Sequence, residues 1–243
     1  TRITIPSITG YAGHHQCVSN KRLIDGLVAD YCQDIVIAGS NALNNKQFYQ
    51  AVDLLSLAYA AGEKYGYRIP ADLNNLMNRA WSGVLANILF AGQQAMDAGD
   101  FVVARQQLNE AIALTRDHPN LINGMAVTAY KENLLSAFLS KGKSLSRNGY
   151  YTDALEWYND AQQLAYDYGI VQHESIQLLK AKAHEGICMG IIADAEEMLE
   201  NGKLNDAFYN LDKARNYRND YNLSDADVAS AMTNTASGLF SAY

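Results

Sequence analysis

The sequence predicts an all-α fold built from repeated helical hairpins. Two observations carry this expectation. Alanine and leucine are abundant while only three prolines occur in 243 residues, a composition that favours helix. A pattern of apolar and small residues also recurs four times, at spacings that fall on one face of a helix. With 49% apolar and 19% charged residues, the chain carries enough apolar surface to fold rather than stay disordered.

The recurrence is plainest in NNKQFYQAVDLLSLA (44–58), AGDFVVARQQLNEA (98–111), NGYYTDALEWYNDA (148–161) and NGKLNDAFYNLDKA (201–214). The first lacks the glycine that the other three share. Their anchor alanines, Ala51, Ala104, Ala154 and Ala207, are spaced by 53, 50 and 53 residues. Three before each anchor stand Phe48, Phe101, Tyr151 and Leu204; four after it, Leu55, Leu108, Tyr158 and Leu211; seven after it, Ala58, Ala111, Ala161 and Ala214. At about 100° per residue these positions form one stripe. Fourteen after the anchors stand Tyr65, His118, Tyr168 and Tyr221, followed by Gly66, Pro119, Gly169 and Asn222, all residues that end helices. Each copy therefore holds a helix of about 18–20 residues.

A second stripe lies upstream. It comprises Cys32, Leu85, Leu135 and Cys188; Ile35, Ile88, Phe138 and Ile191; Gly39, Gly92, Gly142 and Ala195; and Ala42, Ala95, Leu145 and Met198. A glycine inside a helix costs about 1 kcal/mol relative to alanine. Three glycines and an alanine at one register imply that a neighbouring helix needs the space, and the paired alanines downstream offer a matching close approach. The two helices of each copy are expected to pack as a tight antiparallel hairpin. Residues 71–98, 120–148 and 171–201 contain no proline. Each reads as one helix of about 28–31 residues, some 42–46 Å long. The alternative is an extra short helix per copy, broken near Gly83, Gly124 or Gly186.

This order of small residue, alanine and alanine, with an aromatic three before the first alanine, resembles the tetratricopeptide repeat. The resemblance covers residues 21–222 in four copies, about 21–66, 70–118, 120–168 and 171–221. It implies a right-handed α-solenoid of helical hairpins that binds protein or peptide along its concave, first-helix surface. The family unit has 34 residues, so each copy here is lengthened. The family's closing proline survives only as Pro119, three residues late.

The ends differ from the repeats. Residues 1–20, with Pro6, Gly10 and Gly13, read as an extended arm. Residues 224–243 open with SDAD, where Ser224 is a candidate N-cap and Asp227 its partner three residues on. They continue as an apolar helix that either caps the array or is a truncated fifth repeat. The chain opens on Thr1 rather than Met, which suggests processing or origin in a longer protein.

Net charge is −7, which argues against a nucleic-acid backbone as partner, because phosphate binding needs a basic surface. No apolar run reaches the roughly 18–20 residues of a membrane span, and no signal peptide is recognisable. Three cysteines make no disulfide framework. Cytoplasmic and exported settings both stay open.

Motifs for chemistry are sparse. His14, His15 and Cys17 are metal-ligand types, but adjacent histidines diverge and no second pair stands nearby; the alternative function, an enzyme or a small-molecule or metal-binding protein, would place its site there. His184 and Cys188 are four apart on one helix face, yet Cys188 and Cys32 occupy core registers. The two histidines His173 and His184 are about 16 Å apart along a helix and cannot share an ion. No nucleotide-binding loop, nucleophile elbow or catalytic carboxylate pair is found, so no catalytic residue, cofactor or metal is assigned.

The better candidate is a surface. The resemblance places the ligand on polar first-helix positions: Ser40 and Asn44, Gln93 and Asp97, Lys143 and Arg147, Glu196 and Glu200. The plain alternative is the solvated face of amphipathic helices. The family's carboxylate clamp needs a lysine and asparagine pattern that only Lys143 approaches, so the resemblance does not extend to it. The tyrosines Tyr65, Tyr168 and Tyr221, with Tyr67, Tyr166 and Tyr217 nearby, read either as a binding stripe or as packing over the next first helix.

Overall fold

Every copy turns from its first helix into its second through the same backbone motif. The residue five before the anchor is left-handed in all four: Lys46 (φ 58°), Gly99 (φ 79°), Gly149 (φ 82°) and Gly202 (φ 69°). The next N–H reaches back to the helix just ended. Tyr150 N–H donates to Leu145 O at 3.0 Å, and the same bond runs from Gln47 to Ala42 (2.9 Å), Asp100 to Ala95 (2.8 Å) and Lys203 to Met198 (2.9 Å). The left-handed residue itself donates one position further on, as from Gly149 to Ser146 O at 3.1 Å. This Schellman ending satisfies carbonyls that a helix terminus otherwise leaves orphaned. Glycine suits the position because it has no Cβ; Lys46 holds it against a side-chain penalty.

The computed structural model describes residues 14–66, 68, 70–171, 173–224 and 226–242, and their side chains apart from those of 14–22, 173 and 174. Among the described residues lie nine helices and no strand: α1 (His14–Asn44), α2 (Phe48–Tyr65), α3 (Leu73–Asp97), α4 (Phe101–Asp117), α5 (Met125–Arg147), α6 (Tyr151–Tyr168), α7 (His173–Glu200), α8 (Leu204–Asp220) and α9 (Ala226–Ala242). None is long and apolar enough to cross a membrane. The fold is all-α, as the sequence predicts.

The second helices, α2, α4, α6 and α8, have 18, 17, 18 and 17 residues. The first helices α3, α5 and α7 are single and unbroken, but at 25, 23 and 28 residues they reach the expected length only in the last. α5 is shortened because Asn123 Oδ1 accepts the Met125 N–H at 2.9 Å, which caps the helix beyond Gly124. Gly83 and Gly186 lie inside helices and break neither, so the alternative of an extra short helix does not hold there. One other expectation needs correction. Residues 14–20, expected in an extended arm, are helical, because nothing between Gly13 and Gly26 stops the helix; residues 1–13 lie outside the described residues.

The chain divides into two compact units, Thr1–Val127 and Thr128–Tyr243. In the first, α1 packs on α2 and α3 on α4, while α3 also touches both α1 and α2. In the second, α6 packs on α7 and α7 on α8, and α9 rests on both α7 and α8. α5 meets α6 where the Tyr158 ring covers Gly142.

Both predicted stripes are the core. The anchors Ala51, Ala104, Ala154 and Ala207 are buried, as are Ala58, Ala111, Ala161 and Ala214 and the upstream Cys32, Leu85, Leu135 and Cys188. What the glycines accommodate differs from expectation. A Cβ on Gly142 would stand 2.8 Å from Tyr158 Cδ1, and one on Gly39 2.8 Å from Leu55 Cδ2. The space goes to the large residue four after the anchor, not to the alanines, because a helix needs room where its neighbour's longest side chain lands.

A second glycine set joins successive hairpins. Gly83 and Gly186 both stand 21 residues before an anchor. Each receives the aromatic that lies three before the preceding anchor: Phe48 covers Gly83, and Tyr151 covers Gly186. A glycine that looked like a helix break is the socket for a ring from the previous hairpin.

The open ends of the hairpins are clasped as well. Trp81 stacks on His118 with centroids 3.9 Å apart, Lys131 lies 6.0 Å from the Tyr168 ring centre, and His184 stacks on Tyr221 at 3.9 Å. In every case the residue 23 before the anchor meets the residue 14 after it. Tyr168 and Tyr221 therefore each pack on the first helix of their own copy. Stacking and cation–π contacts of this kind contribute about 0.5–1.5 kcal/mol each.

Candidate binding surface

The eight candidate residues form four pairs, each spaced by one helical turn near the C-terminal end of a first helix. On α1, Ser40 is half-buried and Asn44 exposed; on α3, Gln93 is half-buried and Asp97 exposed. Lys143 and Arg147 on α5 are both exposed, and so are Glu196 and Glu200 on α7. In the first unit the contact of α1 with α3 sets two pairs on neighbouring helices. In the second unit the basic pair lies on α5 and the acidic pair on α7. The structure thus groups the residues two and two.

Local bonds distinguish the pairs. Gln93 Nε2 donates to Asp97 Oδ1 at 2.8 Å, which holds both side chains along α3. Glu196 Oε1 accepts from Thr235 Oγ1 of α9 at 2.8 Å, so Glu196 is partly engaged by the adjoining helix. Helix polarity also separates them. Cations at a helix C-terminus gain about 0.3–1 kcal/mol at exposed sites, and carboxylates there lose a similar amount. Lys143 and Arg147 conform to that preference, whereas Asp97 and Glu200 oppose it.

A cleft adjoins the first unit's part of the surface. It measures about 570 Å³, and its lining includes Asn44, Lys46, Asn78, Arg79 and Ser82, with Phe48 and Gly83. Asn78 Oδ1 is buried with no hydrogen-bond partner, which costs free energy. Of these residues only Asn44 is a candidate from sequence. Lys46 gave a signal in retrospect: it is the one copy in which the turn glycine is replaced.

A cluster of shifted groups lies elsewhere, at the α7–α8 clasp. His184 Nδ1 and Tyr217 OH are hydrogen-bonded at 2.8 Å. Burial, and then the neighbouring Lys180, push the His184 imidazole below its usual pKa. Burial, with Tyr221 and Cys188 nearby, pushes the Tyr217 phenol up to about 12. Cys188 is buried and its Sγ lies 3.6 Å from Ala214 O; burial raises its thiol too. A neutral imidazole against a protonated phenol is a packing arrangement, consistent with the core register of Cys188.

Among the described residues no three His, Cys, Asp or Glu side chains cluster as metal ligands. His14 and His15 open α1, and their side chains, with that of Cys17, lie outside the described residues. No protein-family model, curated protein or solved structure matches the chain.

Proposed function

We propose that the protein is a non-enzymatic, protein- or peptide-binding scaffold module. Its hairpins are read as lengthened tetratricopeptide-like repeats stacked in a right-handed solenoid, part of a larger protein or assembly. The supporting observation is the recurrence of two polar residues, one turn apart, at the same register of α1, α3, α5 and α7, beside and not within the packing stripe. Stacked hairpins of this kind present extended surfaces suited to extended ligands. The basic pair Lys143 and Arg147 selects acidic segments of a ligand, and the cleft beside Asn44 supplies a cationic rim from Lys46 and Arg79.

The test is an array of short acidic, basic and neutral peptides probed with the whole protein and with Lys143→Glu/Arg147→Glu. Both residues are exposed, so the double variant keeps its helical content. Acidic peptides are expected to bind the parent protein and to lose at least tenfold in affinity with the variant. Equal binding by the two proteins would reject this surface.

A further inference from the structure

Two faces of the molecule carry apolar side chains where repeat-equivalent positions are buried. The first is on α1. Leu27 is 62% exposed and Tyr31 51% exposed. Their counterparts 53 residues on are Ala80 and Val84, both fully buried. Those residues flank Gly83, the socket for Phe48, so on α3 this face is covered by the preceding second helix. Leu23 extends the exposed stripe by one turn. A repeat that ended its array against water would be polar here.

The second face is the groove between α8 and α9, of about 620 Å³. Its walls include Leu211, Met232, Phe208 and Phe240, the last two being 60% and 81% exposed. α9 matches α7 at a spacing of 52 residues, with Gly238 on Gly186 and Phe240 on Cys188. Cys188 is buried beneath α8, whereas Phe240 lies open. The groove is therefore the seat that a second helix fills in the preceding hairpin.

Charge gives the occupant. Arg215 and Arg218 line the groove, with Asp212 as the one acid. Asp212 is ion-paired with Arg215, and Arg218 Nε donates to Leu223 O at 3.0 Å; a guanidinium so engaged still has N–H donors to spare. On α1 the exposed Asp30 and Asp34 stand three and seven residues after Leu27, so they share its face with Tyr31. An apolar stripe flanked by carboxylates meets an apolar groove flanked by guanidiniums.

We propose that α1 of one copy of this chain docks in the α8–α9 groove of a second copy. The contact is heterologous: each chain uses a different face, and further copies add in the same direction. Contiguous exposed apolar surface of this kind marks an association site.

Sedimentation or light scattering across a concentration series tests it, using Leu27→Glu and Phe240→Glu. Both side chains are exposed, and unchanged melting temperatures verify that the variants fold. The parent protein is expected to grow in mean mass with concentration, while each variant stays at the 26.7 kDa chain mass. Mixed one to one, the two variants should form a dimer and nothing larger, because one keeps a sound groove and the other a sound α1. A parent protein that stays monomeric overturns the proposal. So does a mixture that stays monomeric, and so does association that survives either substitution, which would indicate like-with-like pairing.

Discussion

The ring of Tyr151 on α6 fills the space where a Cβ on Gly186 of α7 would stand, with Cδ1 and Cε1 each 2.5 Å from that point. The overlap involves the ring edge nearest the backbone, not a flexible tip, so the hairpins would have to shift to admit a methyl group. Gly186→Ala gains about 1 kcal/mol of helix propensity and meets overpacking of about 1–3 kcal/mol. A net loss is expected. Gly190, one turn on, has open space around it, so Gly190→Ala should stabilise by about 1 kcal/mol. Opposite signs in denaturant titrations of the two variants support the socket; a stabilising Gly186→Ala would refute it.

Ala154 is fully buried between the helices of the third hairpin. Enlarging it to leucine should cost about 1–3 kcal/mol by overpacking. An unchanged melting temperature for Ala154→Leu would rule out the close packing of α5 on α6.

The shared turn offers a test of backbone alone. Gly149 has a φ of 82°, and nothing lies within 4 Å of the point a Cβ would occupy, so Gly149→Ala should lose about 1–2 kcal/mol from the left-handed penalty. Lys46 already carries that penalty at φ 58°. Lys46→Gly relieves it against a glycine entropy cost of about 0.5–1 kcal/mol, so it should be neutral or mildly stabilising. Thermal melts of the two variants check the pair, and a clear loss for Lys46→Gly contradicts the reading.

The clasp at His184 predicts a pH dependence. Its pKa is lowered from 6.5 in the folded state, so the unfolded chain binds the proton more readily. Stability from this group is complete above about pH 6.5 and is lost as pH falls through and below that value. His184→Phe keeps a ring against Tyr221 and removes the titration. Its stability should fall less between pH 7 and pH 5 than that of the parent protein; parallel curves would show that His184 does not contribute.

Much of the fold was legible in the chain. The anchor alanines, the upstream stripe and the helix-ending residues marked both helices of every copy, because helical periodicity and burial leave the same pattern in each. Helix starts were less legible: Asn123 caps α5 through one side-chain bond, which periodicity does not record. The candidate residues were legible as polar positions beside the packing stripe. The engagement of Glu196 by Thr235 was not, since the two are 39 residues apart and meet only through α9 packing on α7.

The glycines show where sequence and tertiary structure part. Composition and periodicity alone determined that the chain is helical, that four hairpins repeat, and that small residues recur where helices approach. Only the packed structure decided what each small residue admits: Tyr158 over Gly142, Tyr151 over Gly186, Phe48 over Gly83. A glycine signals that space is needed but not whose side chain takes it. That choice depends on where a neighbouring helix places its rings, which is a property of the assembled core.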